Sequence, residues 1–471
     1  MPNDELCFTS AVDLAAAIRA RRLSPVEVTT AVLARIDKIN PVVNAYCTVV
    51  ADRALDEARR AEAAVAKGER LGPLHGVPIS FKDLTPTAGI RTTFGSKAFE
   101  HNVPNEDALV VERARAAGAV VIGKTNTPEF GCKGATDNLI FGHTRNPWNR
   151  DRVAGGSSGG AAAAVAAGLA PIAEGSDLAG SIRIPASACG VVGFKPSLGR
   201  IPRWPMINGY TGMSHLGPIT RTVRDAALLM TVWAGPDERD PQSLPATGED
   251  FGRAIDTGVK GLRAALSLDL GFAAVDQEVR RIVAAAAKSL TGLGVSVDEA
   301  HPGFDGGVEA LFMDLTAPIR AAAMAPLLPT WREQMDPMLL LRLDRATTMT
   351  AVDSEQATHR RTALWQTVRR FFERYDLLLT PTLATAAFPI GRVYPDEIDG
   401  RPVTNGLQWF PFTYPFNLTG QPAITVPCGF TSDGLPVGLQ IVGRRYADLT
   451  VLRAARAFEL ASPWTERRPE L

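Results

Sequence analysis

Histidine is scarce in this chain, six among 471 residues, and the last of them, His359, lies in a polar, helical-looking stretch. A serine hydrolase that draws its base from a histidine near the chain end is hard to place on such a sequence. Cysteine is scarcer still. Cys7, Cys47, Cys132, Cys189 and Cys428 are odd in number, scattered, and form no C-x-x-C pair. That argues against a disulfide framework and a structural zinc site, so no metal and no other cofactor is expected. No sign of charge is in excess: Lys plus Arg and Asp plus Glu both count 50. A neutral total leaves no electrostatic footprint for nucleic acid or an anionic membrane. Long apolar runs are missing too. The most apolar stretch, Gly159 to Ala173, is mostly Ala and Gly and too short to cross a bilayer. From Met1 to Arg22 the chain carries Asp4, Glu5 and Asp13 and lacks a basic start followed by an apolar run. No secretory signal is read there, and a reduced, cytoplasmic location is expected.

Apolar residues at 45% and charged residues at 21% give the balance of an ordinary folded protein rather than a disordered one. The length allows one large domain or two ordinary ones. Residues 10 to about 70 read as helices. Ser10 with Asp13, and Ser24 with Glu27, pair a capping hydroxyl with an acid three residues on. Ala51 to Lys67 is rich in Ala, Glu and Arg and should end at Gly68. From residue 70 short β-branched runs, Gly76 to Phe81 and Ala119 to Ile122, alternate with helical stretches such as Asp107 to Ala117. That alternation predicts an α/β layer fold with a buried sheet. Residues 155 to 200 are dense in Gly, Ser and Ala, as where backbone must approach something closely. Residues 235 to 345 look less regular. Strands return at Asp376–Thr380, Ala423–Val426 and Pro436–Val442, with Asp433-Gly434 turning between the last two. No internal repeat stands out.

Two motifs imitate other chemistries. Gly118 to Thr125 has P-loop spacing, but its middle, Ala119-Val120-Val121-Ile122, is a buried-strand sequence, not a phosphate loop, and no long helix follows. Gly155-Gly156-Ser157-Ser158-Gly159 fits a nucleophile elbow, which needs a strand before it and a histidine after. Asn149 to Ala154 does not read as a strand. A serine nucleophile without a histidine can use a lysine, provided burial keeps the amine neutral. Lys82 closes the apolar run Pro78-Ile79-Ser80-Phe81, and alone it would pass for a lysine reaching out from a strand end. Ser181 follows Ala179-Gly180, small residues that let successive N–H groups converge as an oxyanion hole requires, though a plain Gly/Ser turn looks the same.

The run Gly155 to Pro185 resembles the signature of the amidase signature family: a Gly-Gly-Ser-Ser-Gly-Gly loop, an Ala/Gly-rich helix, then Gly-x-Asp-x-x-Gly-Ser-Ile-Arg-x-Pro. Lys82 falls in a Gly-Val-Pro-Ile-x-x-Lys-Asp element like the family's lysine motif. Thr125 to Phe130, Arg145 to Asn149 and Gln421 to Pro427 also resemble it, and the likeness runs from about residue 10 to the end. The resemblance implies an α/β/α fold: a mostly mixed central sheet with helices on both faces. It implies a single domain over 1–471, with a helical segment to 70, a signature core at 70–230, a variable pocket or lid region at 235–370, and closing strands and a helix at 371–471. Ser181 would attack the carbonyl, and Ser157, after a cis peptide bond, would relay its proton to neutral Lys82. The N–H groups of Leu178, Ala179, Gly180 and Ser181 would bind the oxyanion, with Ser158, Asp177 and Arg183 in support. Ala179 departs from the family's commoner glycine.

A small-molecule amide or carbamate is the implied substrate, with esters as a side reaction, and the chain would act as monomer or homodimer. Phe130-Gly131-Cys132 is a candidate pocket segment. Trp204, Met206, Tyr210 and Met213 come from a second, Phe312 and Trp331 from a third, and Trp409, Tyr414 and Phe416 from a fourth. Together they favour an uncharged, apolar or aryl substrate. Ala310 to Met338, rich in Met, could form an adaptable lid or a packed helix pair. The rival within the family is the glutamine-hydrolysing A subunit of a tRNA-dependent amidotransferase. That subunit usually carries a Met-Gly-Ser-Ser-like run where this chain has Glu129 to Gly134.

Overall fold

The computed structural model describes residues 3–304 and 306–471. Met1 and Pro2, the start of the stretch read for a leader, and Asp305 lie outside it. Local chemistry sets the first helices. Ser10 Oγ accepts the N–H of Asp13 at 3.1 Å, and Ser24 Oγ accepts those of Val26 and Glu27, so both hydroxyls cap helices. The helix Ala51–Lys67 stops at Gly68, which takes the left-handed conformation (φ +71°).

Eleven strands form one sheet. In chain order they begin with β1 (Tyr46–Val49), β2 (Pro78–Lys82), β3 (Val120–Thr125) and β4 (Ile172–Asp177). Next come β5 (Val192–Lys195), β6 (His215–Thr220), β7 (Arg263–Leu266) and β8 (Ser296–Glu299). The last three are β9 (Leu377–Pro381), β10 (Ala423–Phe430) and β11 (Pro436–Gly443). Their spatial order is β1-β3-β2-β4-β6-β5-β10-β11-β9-β7-β8. The sheet is mixed. β3, β2 and β4 are parallel, β4 through β9 pair antiparallel, and β9, β7 and β8 are parallel again.

Helices cover both faces. A Cβ on Gly438 of β11 would meet Ser187, in the helix Arg183–Cys189, at 2.5 Å. One on Gly443 would meet Val451, in the helix Asp448–Ala461, at 2.5 Å. Residues an odd number apart on a strand point to opposite faces, so these helices sandwich β11.

The sequence reading needs three corrections. The N-terminal stretch is not all helix: β1 pairs antiparallel with β3 and caps that end of the sheet. Residues 235 to 345 are more regular than their prolines suggest. They supply β7, the helix Gln277–Thr291 and β8, then the helices Val308–Met324 and Pro337–Thr347. Asn149–Val153 is a strand, but it pairs with Arg145–Asn146 in a two-stranded ribbon outside the main sheet. Four of its five residues are polar and only Val153 is buried, which is why it does not read as a sheet strand.

Among the described residues no single helix is long and apolar enough to cross a membrane. Val308–Met324 and Leu328–Gln334 reach that length only together, across an 83° bend.

Candidate active site

The parallel trio β3-β2-β4 releases its three following loops at one end of the sheet, where α/β proteins place their sites. β2 ends on Lys82, β3 leads into the turn Glu129–Gly131, and β4 leads through Ser176 and Asp177 to Ser181. Register does the rest. Ile79 pairs with Ile172 and Ser80 with Ala173, so Lys82 comes level with the end of β4. Lys82 Nζ lies 2.7 Å from Ser157 Oγ and 3.0 Å from Ser176 Oγ.

Ser157 stands in the loop that enters the buried helix Gly159–Ala166, and the Gly156–Ser157 peptide bond is cis. Gly155 has φ +74°, and a Cβ there would meet Pro185 Cα at 2.7 Å, so only glycine fits. The loop is tied to its surroundings by polar bonds. Ser158 N–H donates to the Ser181 carbonyl at 3.2 Å, and Gly159 N–H donates to Thr136 Oγ1 at 3.1 Å. Exposure rises from 0% at Lys82 and 2% at Ser157 to 8% at Ser181, so solvent reaches the last serine first.

Burial pulls the Lys82 ammonium down to about 7, against the charges of Glu174 and Asp177, which favour the protonated form. A substantial fraction of neutral amine is therefore present near neutral pH. Asp177 and Arg183 form an ion pair with neither side chain exposed. Burial opposes the Asp177 carboxylate, yet Arg183 beside it holds it well below the usual range. Asp177 Oδ1 also accepts the Gly180 N–H at 2.7 Å, and Oδ2 the Ile182 N–H at 3.2 Å.

That arrangement corrects one oxyanion donor. The Gly180 N–H is committed to Asp177, while those of Leu178, Ala179 and Ser181 have no partner among the described residues. The positive φ of this turn falls on Gly180 (+119°), not on Ala179, so alanine is accommodated where the family commonly has glycine. Cys132 is a second correction. It is fully buried beside Met335, Leu339 and Leu343, where burial pushes its thiol up to about 12; it packs the wall and does not face the cavity.

A profile described as Amidase matches residues 27–452. The chain belongs to the amidase family. It is similar to an acylamidase of Rhodococcus erythropolis, 42% identical, with 100% of this chain and 98% of that one covered. It is also similar to the A subunit of the glutamyl-tRNA(Gln) amidotransferase of Moorella thermoacetica, 39% identical, with 99% of each covered. The crystal structure of a bacterial aryl acylamidase of the amidase signature family superposes with a TM-score of 0.93 at 35% identity, covering 98% of this chain and 97% of that one. This amidase is thus a hydrolase of carbon–nitrogen bonds that acts on amides.

A cavity of about 700 Å³ opens beside the amidase site. A Cβ on Gly131 would lie 3.1 Å from both Ser157 Oγ and Leu84 Cδ1, and Leu84 lines the cavity together with Phe130 and Leu178. Of the other aromatic and Met candidates, Met206 and Met213 line it. Trp409, Tyr414, Phe416 and Phe312 are core residues, Trp331 packs on the Cys132 cluster, and Tyr210 is 83% exposed. Trp204 is half-buried and is not among the lining residues. His359 is likewise a solvent-exposed helix residue.

Reading by sequence missed four partners. Ser176 touches Lys82 Nζ, and Glu174 Oε2 accepts the Lys82 backbone N–H at 3.0 Å. Thr413 Oγ1 donates to the Ala179 carbonyl at 2.5 Å. Asn417 bridges the ion pair, donating to Asp177 Oδ1 at 2.8 Å and accepting from Arg183 Nη2 at 2.7 Å. Glu174 and Ser176 lie inside the recognised motif run, so strand alternation there could have flagged them. Thr413 and Asn417 come from more than 200 residues away and leave no local signal.

Proposed function

We propose that this amidase cleaves a linear amide carrying an apolar or aryl group through a Ser181 acyl-enzyme. The observation that carries the reading is the 2.7 Å contact of a fully buried Lys82 amine, its pKa lowered to about 7, with Ser157 Oγ, beside a mostly apolar cavity. Ser181 Oγ attacks the carbonyl carbon as its proton passes to Ser157, whose own proton passes to Lys82. The oxyanion accepts N–H groups from Leu178, Ala179 and Ser181. The proton then returns from Lys82 through Ser157 to the leaving nitrogen as the C–N bond breaks. Water attacks the acyl ester, delivers a proton along the same route, and frees Ser181. Asp177, Arg183 and Asn417 hold the oxyanion turn and Ser158 ties the relay loop to it; none of the four takes part in proton transfer.

Similarity to the amidotransferase chain keeps glutamine hydrolysis as the second reading. A panel of aryl amides, aryl carbamates, aliphatic amides and glutamine separates the two. Turnover of aryl amides is expected; glutamine as the sole substrate would overturn the proposal.

A further inference from the structure

The cavity beside the two serines is lined by two arginines, Arg203 and Arg320, and by no acidic residue among the described residues. Many arginines elsewhere in the chain find carboxylates: Arg183 meets Asp177, Arg239 meets Glu112, and Arg345 and Arg360 share Asp314. Arg203 and Arg320 form no such ion pair among the described residues. Arg203 Nη1 donates to the Ser214 carbonyl at 3.3 Å. Arg320 Nη1 reaches the Phe130 carbonyl at a long 3.5 Å, and Arg320 Nε is buried with no partner among the described residues.

Burial lowers both groups; at Arg203 the charge of Asp240, which accepts its backbone N–H at 2.8 Å, opposes the shift, and at Arg320, lowered to about 10, the charge of neighbouring Arg342 adds to it. A desolvated cation with open donors is costly unless an anion meets it, and a guanidinium fork matches a carboxylate. Most of the rest of the wall, including Phe94, Phe130, Met206, Met213 and Ile319, is apolar, with Asn208, Thr211, Ser214 and Thr316 as its polar members.

We propose that this cavity takes amides whose apolar body ends in a carboxylate, held by Arg203 and Arg320. The inference rests on the amidohydrolase reading above and revises the uncharged substrate expected from sequence. Glutamine shares the terminal carboxylate but has no apolar body, and no acidic residue among the described residues lines the cavity to receive its α-ammonium.

The test uses anilides of ω-carboxy acids and N-aroyl ω-amino acids, each beside a counterpart ending in methyl. At least one carboxylate member should show kcat/KM about 10-fold or more above its counterpart, mostly through KM. That ratio should fall towards one in Arg203→Met and in Arg320→Met. Turnover of the methyl-ended amides with no carboxylate preference overturns this inference and leaves the amidohydrolase reading standing. No turnover of any amide sinks that reading instead. Calorimetric binding of 5-phenylpentanoate and 5-phenylpentanol to the unaltered enzyme then decides the inference alone, and decides it equally if either variant fails to fold. Tighter binding of the acid upholds it, and equal or weaker binding overturns it.

Discussion

Glu174 Oε2 accepts the backbone N–H of Lys82 at 3.0 Å, while Glu174 Oε1 is buried without a partner among the described residues. The same carboxyl therefore fixes the strand end that carries the lysine and acts on its charge. A carboxylate favours the ammonium form, so Glu174 works against the burial that makes Lys82 neutral.

The pH profile of the unaltered enzyme should rise through about 7, where Lys82 loses its proton, and level off above. Glu174→Gln removes a charge that supports the ammonium, so its limb should move to lower pH. Profiles of kcat/KM for both proteins measure this directly. A limb that stays put or moves up would show that Glu174 does not act on Lys82.

Ser181→Ala should abolish turnover, and Ser157→Ala and Lys82→Ala should each lower kcat by on the order of 10²–10⁴-fold. A fluorophosphonate should label Ser181 in the unaltered protein and not in Ser181→Ala. Full activity in a folded Lys82→Ala protein would contradict the proton route.

Gly180→Ala places a Cβ 2.6 Å from Thr413 Cβ, at a residue with φ +119°. Backbone of that kind disfavours any side chain by about 1–3 kcal/mol. The variant should melt at lower temperature and lose kcat, because the turn it distorts presents the Ala179 and Ser181 N–H groups. A variant with unaltered melting and kcat would show that the turn relaxes freely.

Arg183→Met leaves the buried Asp177 carboxylate without its cation, and should cost about 3–5 kcal/mol of stability. Arg239→Met breaks a pair with Glu112 whose side chains are 38% and 39% exposed, and should cost no more than about 1 kcal/mol. Urea denaturation of both variants makes the comparison; equal losses would contradict the structural role given to Arg183.

Much of the catalytic end was legible in sequence because its residues sit in short runs with fixed neighbours. Strand ends at Lys82 and Asp177, and the glycines at 155 and 180, are local demands of backbone geometry. What stayed hidden depends on pairing across the sheet. β1 was lost within a helical stretch because four residues carry too little periodicity. Gly180 was expected to serve the oxyanion, since nothing in Gly-Ser-Asp-Leu-Ala-Gly-Ser shows the Asp177 side chain folding back onto its N–H. The aromatic segments misled because size predicts burial better than it predicts contact with substrate: Trp409 and Tyr414 are core.

The helix Val308–Met324, which walls the cavity, enters the chain between β8 and β9, far from the loops that hold Lys82, Ser157 and Ser181. The helix Pro337–Thr347, capped by Asp336, meets the segment that follows β3. There Glu129 accepts the Asp336 N–H at 2.6 Å, and Lys133 Nζ reaches Asp336 Oδ2 at 2.6 Å. The wall is in effect a cassette seated on the segment after β3, through Asp336 and the apolar cluster around Cys132. A graft of residues 308–347 from a relative that keeps this acid could exchange substrate preference while leaving the proton route intact.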